Sequence, residues 1–469
     1  MVQLDRSMME RYEITDRRPE DVKCVIFGAD KLMLGAAARL IDRMNEDGEK
    51  IGCLCVTAAA DILNRQDGMF TLLVRGETIE GKRIMEEKVV QSIICALDPE
   101  KDYEKIRETA ANAGISAFIC HQDASDEEKA IIALMLFERF RAKLTAPRLF
   151  LIADMPEDNC IENMRATVKF IAGKWGKDAS FDAWLDDIAF TRVLCESLSG
   201  RLNDTERASA WKKFNYRDEM IAWAEPHMGF AADENAPKIL KKYLSGEKYE
   251  TACEKKQRIF DTAVFISACT GYICGMNNFA EVMKDEGMRG LIAHAFFDEI
   301  LPLLPWDKDE IAPCVISAFE RLENPMNDMP LMDIARDMLK TFPETVLKSI
   351  SAYADKTFDA PRCLSLALSA AIMLYSGARK DENGAYRVLR ENASHVLIDD
   401  EEILESFSRF SHDMPPETLA YAALADRSCW GADLREIDAL EMRVAYDLAA
   451  IQRIGMRETV KLTLLEYEE

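Results

Sequence analysis

A lysine and a carboxylate stand five residues apart in the stretch Glu254-Lys255-Lys256-Gln257-Arg258-Ile259-Phe260-Asp261-Thr262-Ala263-Val264. A lysine ammonium is a proton carrier whose behaviour depends on its surroundings. If Lys256 and Asp261 face one cavity, the carboxylate stabilises the charged lysine. That suits a proton donor more than a base. Arg258, between them, can bind a carboxylate or lie solvated on a helix face.

A second set of candidates lies near the start. Val22 to Phe27 (VKCVIF) reads as a short buried strand, followed by Gly28 and a helical pattern through Leu32, Leu34, Ala37, Leu40 and Ile41. A strand–glycine–helix passage can receive a dinucleotide pyrophosphate on the amides of the helix N-terminus. Here the turn is Gly28-Ala29-Asp30-Lys31. Asp30 either caps the helix or adds bulk and negative charge where a pyrophosphate would come, and Lys31 offsets some of that charge. Beyond the second strand, Asp61 is the candidate ribose ligand, although it comes late and reads first as the start of a helix. His121 reads as a loop residue.

These elements need a scaffold. With 469 residues the chain is too long for one ordinary core, so two domains are expected. Strands at Val22–Phe27, Ile51–Val56, Thr71–Val74, Ile115–Cys120 and Arg148–Ala153 alternate with helical patterns. That order predicts an α/β N-terminal domain with a parallel sheet over residues 1–210. After Asp218 apolar residues recur at helical spacing, as in Ala263–Ile273, Leu291–Leu304, Leu364–Leu374 and Val444–Ile454. Residues 211–469 are therefore predicted to form a mainly α-helical domain. Asp381-Glu382-Asn383-Gly384 reads as a turn, and the acidic run Asp399–Glu402 as a solvated helix start.

Composition excludes several classes of partner. A net charge of −24 argues against nucleic acid and against an anionic membrane surface. The thirteen cysteines are scattered without a Cys-x-x-Cys pair, which fits reduced, buried thiols. His227, His294, His395 and His412 have no partners at metal-ligand spacing, so no metal is expected. Met326, Met329, Met332 and Met338 read as core or groove filling. The first twenty-one residues are charged and lack an apolar core, and no stretch approaches a membrane span, so a cytoplasmic protein is expected.

Several segments, in one order, resemble the mannitol dehydrogenase family, closest to its tagaturonate reductase branch. They are Leu63-Asn64-Arg65-Gln66-Asp67-Gly68 running on to Gly76, Tyr216-Arg217-Asp218-Glu219 with Ala224-Glu225-Pro226, and the Lys256 stretch. Phe297-Asp298-Glu299-Ile300-Leu301-Pro302, Asn324-Pro325 and Trp430-Gly431-Ala432-Asp433-Leu434 follow. The resemblance implies a Rossmann-type domain and a helical substrate domain. It implies NAD or NADP as cofactor, no metal, and a small sugar acid or polyol whose alcohol and ketone are interconverted. It assigns proton transfer to Lys256 and the oxygen-holding position to Asp261. It makes Asp154, in Ala153-Asp154-Met155, a substrate-binding candidate together with Arg258.

The chain departs from the family pattern at the chemistry. The family segment Lys-x-x-x-x-Asn-x-x-His has Asp261 and Val264 in its last two places. The family turn Gly-x-Gly-Asn-Phe-x-Arg becomes Gly28-Ala29-Asp30-Lys31-Leu32-Met33-Leu34. Met329 falls where the family places a further histidine. Two readings follow: a divergent NAD(P)-dependent oxidoreductase, or a non-catalytic relative that binds a ligand or regulates.

Overall fold

The strand Val22–Phe27 is buried on both sides because its residues serve two cores in turn. Cys24 and Ile26 enter one apolar cluster, and Val25 and Phe27 enter the other. The neighbouring strand Gly52–Val56 divides likewise, with Cys53 and Cys55 on one side and Leu54 and Val56 on the other. Strands with both faces covered belong to parallel sheets packed by helices. The structure, a computed structural model, describes residues 2–77, 81–177, 179–325, 330–390 and 393–467. It contains two units, Met1–Gly76 with Arg83–Cys253, and Glu77–Lys82 with Glu254–Glu469.

In the first unit a seven-stranded sheet runs in the order Phe230–Ala232, Phe190–Cys195, Arg148–Ala153, Ala117–His121, Val22–Phe27, Gly52–Val56 and Ile93–Leu97. All neighbours are parallel except Phe230–Ala232, which pairs antiparallel with Phe190–Cys195. Counting the six parallel strands along the chain gives the order 3-2-1-4-5-6, the doubly wound dinucleotide-binding arrangement. The direction of winding reverses between Val22–Phe27 and Ala117–His121, so Gly28 follows the strand at the switch point.

One expected strand lies elsewhere. Thr71–Val74 extends to Phe70–Glu77 and joins a separate four-stranded sheet with Ser199–Arg201, Ala222–Ala224 and Arg83–Val90. The third strand of the wound sheet is Ile93–Leu97 instead. Residues 211–253 contribute Ala222–Ala224 and Phe230–Ala232 to the two sheets, which ties that segment to the first unit.

Two of the segments that carry the family resemblance hold each other. Asp218, fully buried, accepts hydrogen bonds from the Thr71 amide, the Gln66 side chain and the Met220 amide. Burial pushes its carboxyl above the usual range, and these donors pull it back in part. The Tyr216 hydroxyl meets Thr71 Oγ1 at 2.9 Å.

In the second unit, Thr262–Ile273 and Arg362–Ser376 are buried along nearly their whole length. Helices apolar on every side belong in an interior. Trp430 is fully buried with Phe342 and Phe407, at ring distances of 4.8 and 5.7 Å, and its indole N–H donates to the Ala423 carbonyl. Met332 and Met338 are buried here, whereas Met326 and Met329 lie outside the described residues. The unit also carries a small antiparallel sheet, Arg379–Lys380, Tyr386–Arg390 and Ala393–Val396, with the Asp381–Gly384 turn joining its first two strands. Asp400 caps the helix Glu401–Phe407. Asp399 departs from the solvated reading: it accepts from the Leu339 and Lys340 amides and from the Tyr375 hydroxyl.

Glu299 is a buried carboxyl at the start of Arg362–Ser376. It accepts from the Cys363 and Leu364 amides at 2.7 and 2.9 Å and from the Tyr467 hydroxyl. Burial outweighs these donors and pushes it up to about 7. A carboxyl raised in the folded state adds no penalty below its unfolded value, and stability is lost as pH rises through the folded value. The loss from Glu299 therefore falls between about pH 4.5 and 7. Asp447, also raised to about 7 by burial, acts in the same direction. Urea midpoints measured across this window should decline with pH in the wild type and decline less in Glu299→Gln. Equal slopes in the two proteins would show that Glu299 does not titrate there.

Candidate functional site

Gly28 turns the chain out of the central strand with φ at +89°, a left-handed conformation that glycine adopts without strain. Its amide donates to the Val56 carbonyl at 2.9 Å. The helix that follows leaves its first amides open, and Asp30 takes them. Asp30 Oδ1 accepts from the Leu32 and Met33 amides at 2.7 and 2.8 Å. These donors would otherwise face an incoming anion. Glu128 adds a second carboxylate. It closes the capping box of Asp126–Arg141 through Ser125, and its Oε1 lies 2.6 Å from where a Cβ on Gly28 would stand.

The backbone of this turn fits a dinucleotide, and its side chains do not. A pyrophosphate at Gly28 would meet the carboxylates of Asp30 and Glu128. Two unit charges about 4 Å apart repel by roughly 1 kcal/mol in water and about 4 kcal/mol near a protein surface. One cation offsets them. Arg201 donates to the Ala29 carbonyl at 2.7 Å, and Asp30 is the acid that most favours its charged form, against burial that lowers it. No local spacing in the sequence marks Arg201, because it comes from a strand of the other sheet. The Lys31 carbonyl accepts from Ser199 Oγ at 2.8 Å.

Of the other candidates of this unit, His121 and Asp154 approach each other, whereas Asp61 pairs elsewhere. Asp61 sits in the first turn of Ala60–Arg65, its side chain 69% exposed and paired with Lys101 at 3.0 Å. His121 ends the strand Ala117–His121, where its Nδ1 accepts from the Asp123 amide. Its Nε2 lies 3.9 Å from Asp154, which follows the next strand. Burial pulls His121 down, but Asp154, Asp123 and Asp30 together raise it above its ordinary value.

The second centre is built on a π-turn. Residues 257–261 form five-residue π-helical geometry between the α-helices Tyr249–Lys256 and Thr262–Ile273. Residues five apart lie roughly 140° apart around an α-helix but come into line in a π-turn. Lys256 Nζ and Asp261 Oδ1 accordingly meet at 2.5 Å, with side chains only 5% and 12% exposed. Arg258 is also buried. Its Nε donates to Ser349 Oγ at 3.1 Å, and Glu254 lies 4.0 Å from its Nη1. Its Nη2 is buried without a hydrogen-bond partner among the described residues. Burial lowers its ordinary value, and Glu254 partly opposes this.

Three neighbours of this centre escaped the sequence reading. Lys255 is buried against Trp306 and pairs with Glu310 at 2.8 Å. Arg321 stacks over Phe260 at 3.7 Å, and Phe260 also lies 5.8 Å from the Lys256 ammonium. Glu310 and Arg321 both come from Lys308–Glu323, too far along the chain for local spacing to reveal. Val264, one turn beyond Asp261, is buried and apolar.

A buried ammonium stripped of its counter-charge costs on the order of 3–5 kcal/mol. Asp261→Asn should lower unfolding stability by about that amount in urea, whereas the paired change Lys256→Met with Asp261→Leu should recover most of it. A loss below about 1 kcal/mol in Asp261→Asn would mean that the ammonium reaches water, as in an exposed pair.

Comparison with known proteins agrees with this architecture. Residues 248–452 match the mannitol dehydrogenase C-terminal domain. The altronate oxidoreductase of Halalkalibacterium halodurans is 24% identical over 490 residues, covering 96% of this chain and 94% of its own. That of Shigella flexneri is 24% identical over 480 residues, covering 94% and 96%. Among solved structures, Pseudomonas fluorescens mannitol 2-dehydrogenase, in a ternary complex with NAD and D-mannitol, superposes with a TM-score of 0.77 at 15% identity. It covers 99% of this chain and 100% of its own. A substrate-free D-sorbitol dehydrogenase gives 0.73 at 12% identity, covering 98% and 100%. Residues 248–452 thus carry the match to the mannitol dehydrogenase C-terminal domain, and along nearly its whole length the chain is similar to altronate oxidoreductases.

Proposed function

We propose that this chain is a divergent alcohol–ketone oxidoreductase of the mannitol dehydrogenase type, acting on a sugar acid or polyol with NAD or NADP. The observation that carries the reading is the buried Lys256–Asp261 pair on its π-turn. Interconversion of a ketone and an alcohol moves one hydride at carbon and one proton at oxygen. A nicotinamide cofactor, were one held at the Gly28 turn, would supply the hydride. The proton falls to Lys256, whose ammonium, paired with Asp261, suits donation to a ketone oxygen as negative charge builds there. Asp261 takes the place of the family's neutral donor, so it anchors the lysine rather than the alkoxide. Arg258, with a buried N–H to spare, suits the carboxylate of a sugar acid. Asp154 is the corresponding substrate candidate of the first unit.

The turn at Gly28 sets the limit of this reading. As Asp30 and Glu128 stand, no step can be drawn through a bound dinucleotide. The same observation favours a second reading, a relative that binds a sugar-like ligand without turnover. Calorimetric and fluorescence titration with NADH and NADPH separates the two. Micromolar binding, followed by reduction of a hexuronate or ketose, supports the enzyme. No binding at millimolar nucleotide supports the ligand-binding relative.

Asp30→Gly should tighten NADH binding by about tenfold or more, the equivalent of at least ~1.4 kcal/mol of relieved repulsion. Unchanged affinity would mean that Asp30 does not oppose the nucleotide. Lys256→Ala should lower ketone reduction by about 10²–10⁴-fold, the usual worth of a general acid. Turnover within a few-fold of wild type would remove Lys256 from the mechanism.

A further inference from the structure

The wound sheet of the first unit has two ends, and only one carries the Gly28 turn. At the other end, where Val22–Phe27, Ala117–His121 and Arg148–Ala153 begin, lies a cavity of about 420 Å³. Its volume falls within the range of small-molecule sites, about 300–1,000 Å³. The wall is apolar. Ala117, Ile119 and Phe150 line it from the sheet, Ala37 and Ile41 from the helix after Gly28, and Leu240 from the short helical segment Lys238–Tyr243.

Three cations border this apolar space: Lys23, Lys50 and Arg148. Lys23 and Lys50 are exposed, and neither forms an ion pair among the described residues. Arg148 spends its donors on neutral groups, Thr191 Oγ1 and the Asn235 carbonyl. Glu49 is the one carboxylate among the residues lining the cavity. In a chain of net charge −24, three cations without carboxylate partners around one cavity mark a local preference for anions. The wall below them offers few groups to a sugar or a nucleotide. An apolar body with a single anionic head satisfies both halves of the site.

We propose that this cavity binds a medium-chain aliphatic carboxylate, its tail against Ala117, Phe150 and Leu240 and its head toward Lys23, Lys50 and Arg148. The tail gains the free energy of leaving water, and the head meets positive potential without requiring a buried charge. The site shares no lining residue with the Gly28 turn or the Lys256 centre, so it holds whether or not the chain reduces a ketone.

The test is calorimetric titration of the full chain with decanoate, with decan-1-ol as the uncharged comparison. One saturable site with a dissociation constant below about 100 μM is expected. Ala117→Phe fills the cavity and should weaken binding by more than about tenfold, with folding checked by circular dichroism. The double variant Lys23→Glu/Lys50→Glu changes only exposed side chains and should weaken decanoate by about tenfold or more while leaving decan-1-ol within a factor of about three. The charge-reversal result decides the matter if Ala117→Phe fails to fold. Absence of saturable binding, indifference to both variants, or decan-1-ol binding as tightly as decanoate would each overturn the proposal.

Discussion

An ammonium removed from water must have its counter-charge on its own side of the helix, and at Lys256 this condition sets the backbone geometry. An α-helix would turn Asp261 away. The π-turn over residues 257–261 widens the spiral by one residue and brings the two charges into line. The wider turn needs support from outside, because its own packing is poorer. Phe260 lies beneath Arg321, Arg258 is held by Ser349, and the helix that continues from Thr262 is buried on all sides. The packing around residues 257–261 in this sense keeps one ion pair in register.

The turn at Gly28 obeys a related rule with a different result. The open amides at the start of a helix can serve one anion at a time. In this chain the anion is covalently attached, as Asp30, and Glu128 occupies the approach. Both centres are therefore satisfied from within. Lys256 has its carboxylate, and the helix has its cap. Arg258 differs, since it is buried with one donor unspent.

What the sequence makes legible is the scaffold. The alternating strands, Gly28 and the helical second half are found where hydrophobic period and turn chemistry put them, and Asp30 caps as its residue type suggests. The resemblance is carried by residues such as Gln66, Thr71 and Asp218 that hydrogen-bond to each other across long stretches of chain. Less legible are features that arise between distant segments. Ile93–Leu97 follows Arg83–Val90 after only two residues and is not marked off from it, while Phe70–Glu77 went to another sheet. The strands Tyr386–Arg390 and Ala393–Val396 stand in a region of helical composition. Arg201, Glu310 and Arg321 reach their sites only through tertiary packing. Asp399 looks like part of a solvated acidic run until the Tyr375 hydroxyl and two amides from Leu339 and Lys340 close on it.

The double duty of position 30 bears on how such a chain can change over generations. An aspartate that caps its helix contributes about 1 kcal/mol to stability in its own right. A variant that reopened the turn would first forfeit that contribution, and while Glu128 stayed in place a captured nucleotide would return only part of its benefit. Selection acting one substitution at a time meets a loss before a gain. The cap thus works as a ratchet: a residue that closes a binding turn while stabilising the fold is easy to acquire and hard to give back.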